Sequence, residues 1–148
     1  MKAAKLYGLQ TGGWIPRGFK TYDGPHPEYA ELYGLVETPE EDYVARTILN
    51  TRDSDATIRF AKDMQSAGEK CTLKGIKMFK RPYYDIHLGK SMSPQPLEAV
   101  ELFIQHPINV LNIAGNREST SPGIEQYTID FLLALFAMLE KEGLLEKR

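Results

Sequence analysis

The spacing of apolar and polar residues changes from segment to segment along the chain and lays out an alternation of helices and strands. Met1 to Leu9 reads as a short helical piece with Gly8 near its end, and Gly12 to Ile15 as a short apolar strand. From Pro16 to about Tyr33 the chain is rich in Pro, Gly and Tyr without periodicity. That predicts a long loop of the kind that serves as a lid or binding segment. Thr38-Pro39-Glu40-Glu41 predicts a helix start: Thr38 can cap, Pro39 suits the first helical position, and Glu41 can close a capping box. Tyr43, Val44, Thr47, Ile48 and Thr51 then recur at helical spacing.

Asp55 to Phe60 follows as a strand, Ser66-Ala67-Gly68-Glu69 opens a helix reaching about Lys80, and Tyr83 to Leu88 has a β-rich composition. A helix from about Pro96 to His106, an apolar strand from Ile108 to Ala114 and a last helix from near Pro122 to about Lys141 complete the order. Strands alternating with helices through short connections predict a mostly parallel sheet with helices on both faces. The expected fold is one α/β domain over residues 1–148, a doubly wound, Rossmann-like, three-layer αβα arrangement. In the last helix the run Phe131 to Leu139 is apolar around nearly its whole circumference, so the side turned from the sheet needs a cover. A homodimer contact is the expected cover, with helix packing inside the monomer as the alternative.

Composition narrows the classes. A chain of 148 residues, 42% hydrophobic and 26% charged, can close one core. Its formal net charge of -2 gives no general pull toward nucleic acid or anionic membrane. The longest apolar run, Phe131 to Leu139, is too short to span a bilayer. Cys71 is the only cysteine, which excludes an internal disulfide, a CxxC pair and an all-cysteine metal site. With no signal-like N-terminus, the expected location is the cytoplasm. His26, His87 and His106 lack metal-ligand spacing, so no metal site is expected.

In open α/β sheets, ligands bind beyond the carboxyl ends of the strands. That rule gathers Pro16-Arg17-Gly18, Ser66 to Glu69, His87 to Ser91, and Gly115-Asn116-Arg117-Glu118-Ser119. Gly115 permits a tight turn and close backbone approach, and the N–H groups leading into the final helix form an anion seat. Arg117 can clamp a phosphate, while Glu118 can accept from a sugar hydroxyl or act as a base. The alternative is that Asn116, Ser119 and Ser121 cap the last helix and that Arg117 and Glu118 are solvated. Ser66 and Gly68 offer a second helix N-terminus, with Glu69 placed for acid–base work; a plain capping box competes with that reading. Arg17 and Lys20 can bring positive charge over the site from the long loop. Asp53 and Asp55 precede their strand and are expected to secure the helix-to-strand junction. Gly89-Lys90-Ser91 resembles the end of a phosphate-binding loop, but Tyr84 stands where the upstream glycine would be.

Several motifs recur at consistent spacing between residues 12 and 124. They are Gly12-Gly13-Trp14-Ile15-Pro16-Arg17-Gly18 with Asp23-Gly24-Pro25; Glu37-Thr38 with Tyr43, Arg46-Thr47, Asn50 and Arg52 to Thr57; and Val110 to Ser119 with Pro122-Gly123-Ile124. By these the chain resembles the circularly permuted YpsA family of the SLOG superfamily, which carries the older label of molybdenum carrier. The resemblance implies a Rossmann-like three-layer fold and a nucleotide or nucleotide-derived ligand. Relatives include phosphoribohydrolases that release a base from a nucleoside monophosphate. The carrier label implies instead a molybdenum cofactor, a phosphate-bearing pterin. The chain departs from the family pattern twice. Ser66-Ala67-Gly68-Glu69 stands where two glycines and a threonine are usual, and Met1 falls inside the first helix, so the family's first strand is expected to be missing.

The expected function is therefore a protein binding a phosphate-bearing nucleotide or derivative, with hydrolysis through Glu118 or Glu69 as a candidate chemistry. A non-enzymatic molybdenum cofactor carrier or ligand sensor is the alternative. The ligand-binding candidates are Arg17, Gly18, Ser66, Gly68, Gly115, Asn116, Arg117, Glu118 and Ser119.

Overall fold

The computed structural model describes residues 1–89 and 96–146. Its elements run α1 (Lys2–Tyr7), β1 (Gly13–Ile15), β2 (Lys20–Thr21), β3 (Gly24–Pro25), α2 (Tyr29–Tyr33), β4 (Leu35–Glu37), α3 (Tyr43–Arg52), β5 (Ala56–Ala61), α4 (Ala67–Met78), β6 (Tyr83–His87), α5 (Pro96–Gln105), β7 (Leu111–Gly115) and α6 (Ile124–Lys141). Strand β5 lies between β6 and β7, parallel to both, while β1 pairs in parallel with β4 as a separate ladder.

All six residues of β5 are buried, because helices cover both of its faces. Ala56, Ile58 and Phe60 point to one side and join Ile86 with the inner faces of α5 and α6 in the hydrophobic core. Thr57 and Arg59 alternate to the side of α4, where Arg59 donates one hydrogen bond to the Glu69 carbonyl at 3.0 Å. Arg59 is 3% exposed and makes a two-point contact with Asp85 of β6, at 2.7 and 2.5 Å. Helix α3 packs on α4 and on β1, so it joins the smaller ladder to the larger sheet. The architecture is the three-layer, Rossmann-like α/β fold with parallel strands.

Several expectations change. The segment from Pro16 to Tyr33 is not one long loop: it folds into the β2–β3 hairpin and α2, with Phe19 (φ 52) and Gly24 (φ 105) in left-handed turns. Thr38 does not start the next helix. Its N–H donates to Ile15 O at 2.8 Å, extending the β1–β4 pairing, and its hydroxyl donates to Glu40 O. Pro39 to Glu41 therefore form a turn, and Asp42 caps α3 by accepting from the Val44 and Ala45 N–H groups. Strand β4 has no counterpart among the expected elements, and the single doubly wound sheet is two parallel ladders and a hairpin.

In the apolar run that motivated a homodimer, Phe131, Leu132, Leu135, Phe136 and Leu139 are buried under α1, α5 and β5, while Leu133, Ala134 and Met138 are half-buried and Ala137 is exposed. Asp55 accepts from Asn109 and Val110 N–H, and Asp53 from the Trp14 indole and Arg52, so both acids secure junctions as expected. Lys90 and Ser91 lie outside the described residues. Among the described residues no helix is long and apolar enough to cross a membrane, and no group of acidic, His or Cys side chains is arranged to hold a metal ion.

Candidate functional site

A cleft of about 430 Å³ opens at the carboxyl end of β7, where the strand-end rule places ligands. One wall is α3, through Tyr43, Arg46, Thr47 and Asn50; the other is the start of α4, through Ser66, Gly68 and Glu69. The floor and rim run from Asn112 through Gly115 and Asn116 to Arg117.

The Gly115 turn is shaped by its neighbour strand. A Cβ on Gly115 would lie 2.1 Å from the Phe60 carbonyl oxygen, so glycine is required here for close approach to β5. Asn116 then fastens the two strand ends together. Its Oδ1 accepts from the N–H groups of Lys62 and Asp63 at 2.8 and 3.0 Å, and its Nδ2 donates to Asp63 O and to Glu69 Oε2 at 3.2 and 3.1 Å. Because backbone N–H groups can only donate, these contacts fix which way the amide faces.

Two guanidinium groups of the cleft lining lie against the Tyr43 ring. Arg46 stands 5.3 Å from the centre of that ring and Arg117 stands 5.2 Å from it, while Arg117 also lies 5.7 Å from Tyr22 at the tip of the β2–β3 hairpin. Among the described residues neither arginine has a carboxylate partner, and Arg46 Nε is buried without an acceptor. Burial lowers the Arg46 pKa, and the charge of Arg117 pushes in the same direction.

Glu69 lies opposite, 3% exposed. The helix start behaves as a cap: Ser66 Oγ accepts from the Glu69 N–H at 3.4 Å and sits 3.3 Å from Glu69 Oε2, its hydroxyl donating. The second carboxylate oxygen, Oε1, is buried with no partner. Burial raises the Glu69 pKa, opposed by the Ser66 and Asn116 hydrogen bonds and by the Arg59 charge.

Of the candidates read from the sequence, Ser66, Gly68, Glu69, Gly115, Asn116 and Arg117 are brought together in this cleft. The others lie outside its lining. Arg17 pairs with Glu41 at 3.0 Å on the surface, and the Gly18 N–H donates to Glu37. Glu118 folds back onto the start of α6, accepting from the Gly123 and Glu125 N–H groups, and Ser119 is exposed. The residue that the sequence reading did not select as a ligand contact is Arg46. Its signal was available: Tyr43, Arg46, Thr47 and Asn50 recur at helical spacing and put a polar stripe on α3.

Parallel strands between helical layers, with a cleft at the strand ends, define a Rossmann-like domain. The chain belongs to the circularly permuted YpsA SLOG family, whose family model matches residues 1–136. It is similar to a solved crystal structure described as "Putative molybdenum carrier protein" from Syntrophus aciditrophicus SB. The two are 33% identical over 90% of this chain and 84% of that one, with a TM-score of 0.78. No curated protein matches.

Proposed function

We propose that the cleft binds the phosphate end of a nucleotide or nucleotide-derived ligand between Arg46 and Arg117. The observation that carries this reading is the pair of guanidinium groups on one cleft with no carboxylate partner among the described residues, Arg46 Nε being buried and lacking an acceptor. An unsatisfied buried donor costs about 1–3 kcal/mol, and an anion in the cleft removes that cost. Both arginines come from one chain, so the reading needs no second copy. The cleft volume of about 430 Å³ suits a small molecule.

A carrier or sensor fits this geometry better than a hydrolase does. Glu118 is committed to the α6 N-terminus, which leaves Glu69 as the one carboxylate among the described lining residues. The 33% identical neighbour is described as a molybdenum carrier, which keeps a molybdenum-bearing ligand among those worth testing.

The test is a calorimetric titration with a panel of nucleotides and molybdenum cofactor, with product release followed in parallel. Binding without turnover is expected. Arg46→Met and Arg117→Ala should each weaken binding by about 10–100-fold, the worth of a hydrogen bond to a charged group. Undiminished binding by the double variant would refute the placement of the anion.

A further inference from the structure

The N-terminus of α4 faces the cleft, yet the chain's own carboxylate already occupies it. Glu69 turns back over the first turn, and Ser66 and Asn116 both donate to its Oε2. A phosphate placed there would meet a negative charge, so the anion belongs on the arginine side. What remains on the α4 side is one oxygen, Glu69 Oε1, in a side chain that is 3% exposed, lines the cleft and has no partner for that atom. Its availability is not a matter of how the carboxylate rotates. Asn116 is held by Lys62 and Asp63 with its Nδ2 turned toward Glu69, so one carboxylate oxygen always faces Asn116 and the other always faces away.

We propose that Glu69 Oε1 accepts a hydrogen bond from the ligand, which makes that ligand a phosphate ester bearing a hydroxyl or amine donor. The phosphate lies on Arg46 and Arg117 and the donor on Glu69. This inference rests on the anion reading above and adds a second contact point to it. A bare oxyanion would satisfy the arginines and leave Glu69 Oε1 as it is now, buried and unpaired.

The experiment compares three phosphate monoesters by calorimetric or NMR titration: methyl phosphate with no donor, ribose 5-phosphate with hydroxyl donors, and O-phosphoethanolamine with an amine donor. The wild-type protein is expected to bind at least one donor-bearing ester about tenfold more tightly than methyl phosphate. Preference for ribose 5-phosphate identifies a hydroxyl, and preference for O-phosphoethanolamine an amine; either supports the proposal. Glu69→Gln is the decisive variant. Its amide oxygen must face the Asn116 donor, so its NH₂ group replaces the acceptor at the Oε1 position, and the preference should fall to within about twofold. Glu69→Ala should lose it too, with the melting curve of each variant confirming that it folds. Equal affinities in the wild type, or a preference retained by Glu69→Gln, would overturn the proposal and leave the anion reading standing. Failure of the wild type to bind any of the three esters would overturn both.

Discussion

Replacing Asn116 by Asp tests the centre of the cleft. The substitution keeps the shape and the acceptor that holds the Lys62 and Asp63 N–H groups. It exchanges the donor to Glu69 for a second carboxylate oxygen, 3.1 Å from Glu69 Oε2. Two unit charges at about that distance repel by roughly 5 kcal/mol at an effective dielectric constant of 20. The pair escapes the full cost by holding one proton between the two carboxyl groups, as close carboxylate dyads do. The cost then follows pH. At pH 8 the proton must be taken from a dilute pool, and with partial solvent screening the expected loss is about 2–4 kcal/mol. Near pH 5 the shared proton is bound without that cost, and the expected loss falls to about 1 kcal/mol. Urea denaturation of both proteins at the two pH values measures it, with Asn116→Ala as a control whose loss of about 1–2 kcal/mol should vary with pH far less than that of the Asp variant, because it removes one hydrogen bond to Glu69 and adds no charge. An Asp variant with the same loss at both pH values, or a larger one at pH 5, would show that Asn116 and Glu69 are not in contact.

Three further outcomes are expected. Gly115→Ala drives a Cβ to 2.1 Å from the Phe60 backbone and should cost more than about 2 kcal/mol in urea denaturation, whereas Gly68→Ala meets no atom within 4 Å and should stay within about 1 kcal/mol of wild type. Arg59→Met strands the mostly buried Asp85 carboxylate and should cost about 2–4 kcal/mol, part of which Asp85→Leu restores in the double variant. Burial raises the Glu69 pKa, so the folded state binds its proton more tightly than the unfolded chain does. Measured against Glu69→Gln, wild-type stability should be highest below the ordinary value of 4.5 and decline as pH rises through the folded value; a difference that grows with pH would contradict the burial.

The strands and helices that meet the core were legible because their spacing reports which faces are covered. Ala56, Ile58 and Phe60 alternate, and the run from Phe131 to Leu139 could only belong to a helix packed on more than one side. Strand β4 was not legible: only Leu35 of its three residues is buried, and three residues carry no readable alternation. The Thr38 motif misled for a related reason. A threonine followed by Pro and Glu suits a helix start, but its N–H was claimed by Ile15, a partner 23 positions away in the sequence. The Gly115 turn was found by the rule that sites follow strands. Glu118 within it could not be told from a site residue, because its partners at Gly123 and Glu125 depend on how the turn closes.

The cleft lies across a seam. Strands β1 and β4 form a ladder separate from β6, β5 and β7, and α3 belongs to the first by its packing on β1 while Arg117 follows β7 of the second. The two halves meet at the α3–α4 contact, where Gly75 comes so near Thr51 that a Cβ would lie 2.2 Å from its hydroxyl. A molecule held by Arg46 and Arg117 together would therefore tie the two ladders to each other across that seam. At a hundred times its dissociation constant, such a molecule would deepen the free energy of parting them by about 2.7 kcal/mol. In amide hydrogen exchange the slowing would reach β1, whose Trp14 N–H donates to Asn50 of the cleft wall, and β4 beside it, and leave the C-terminal end of α6 unchanged.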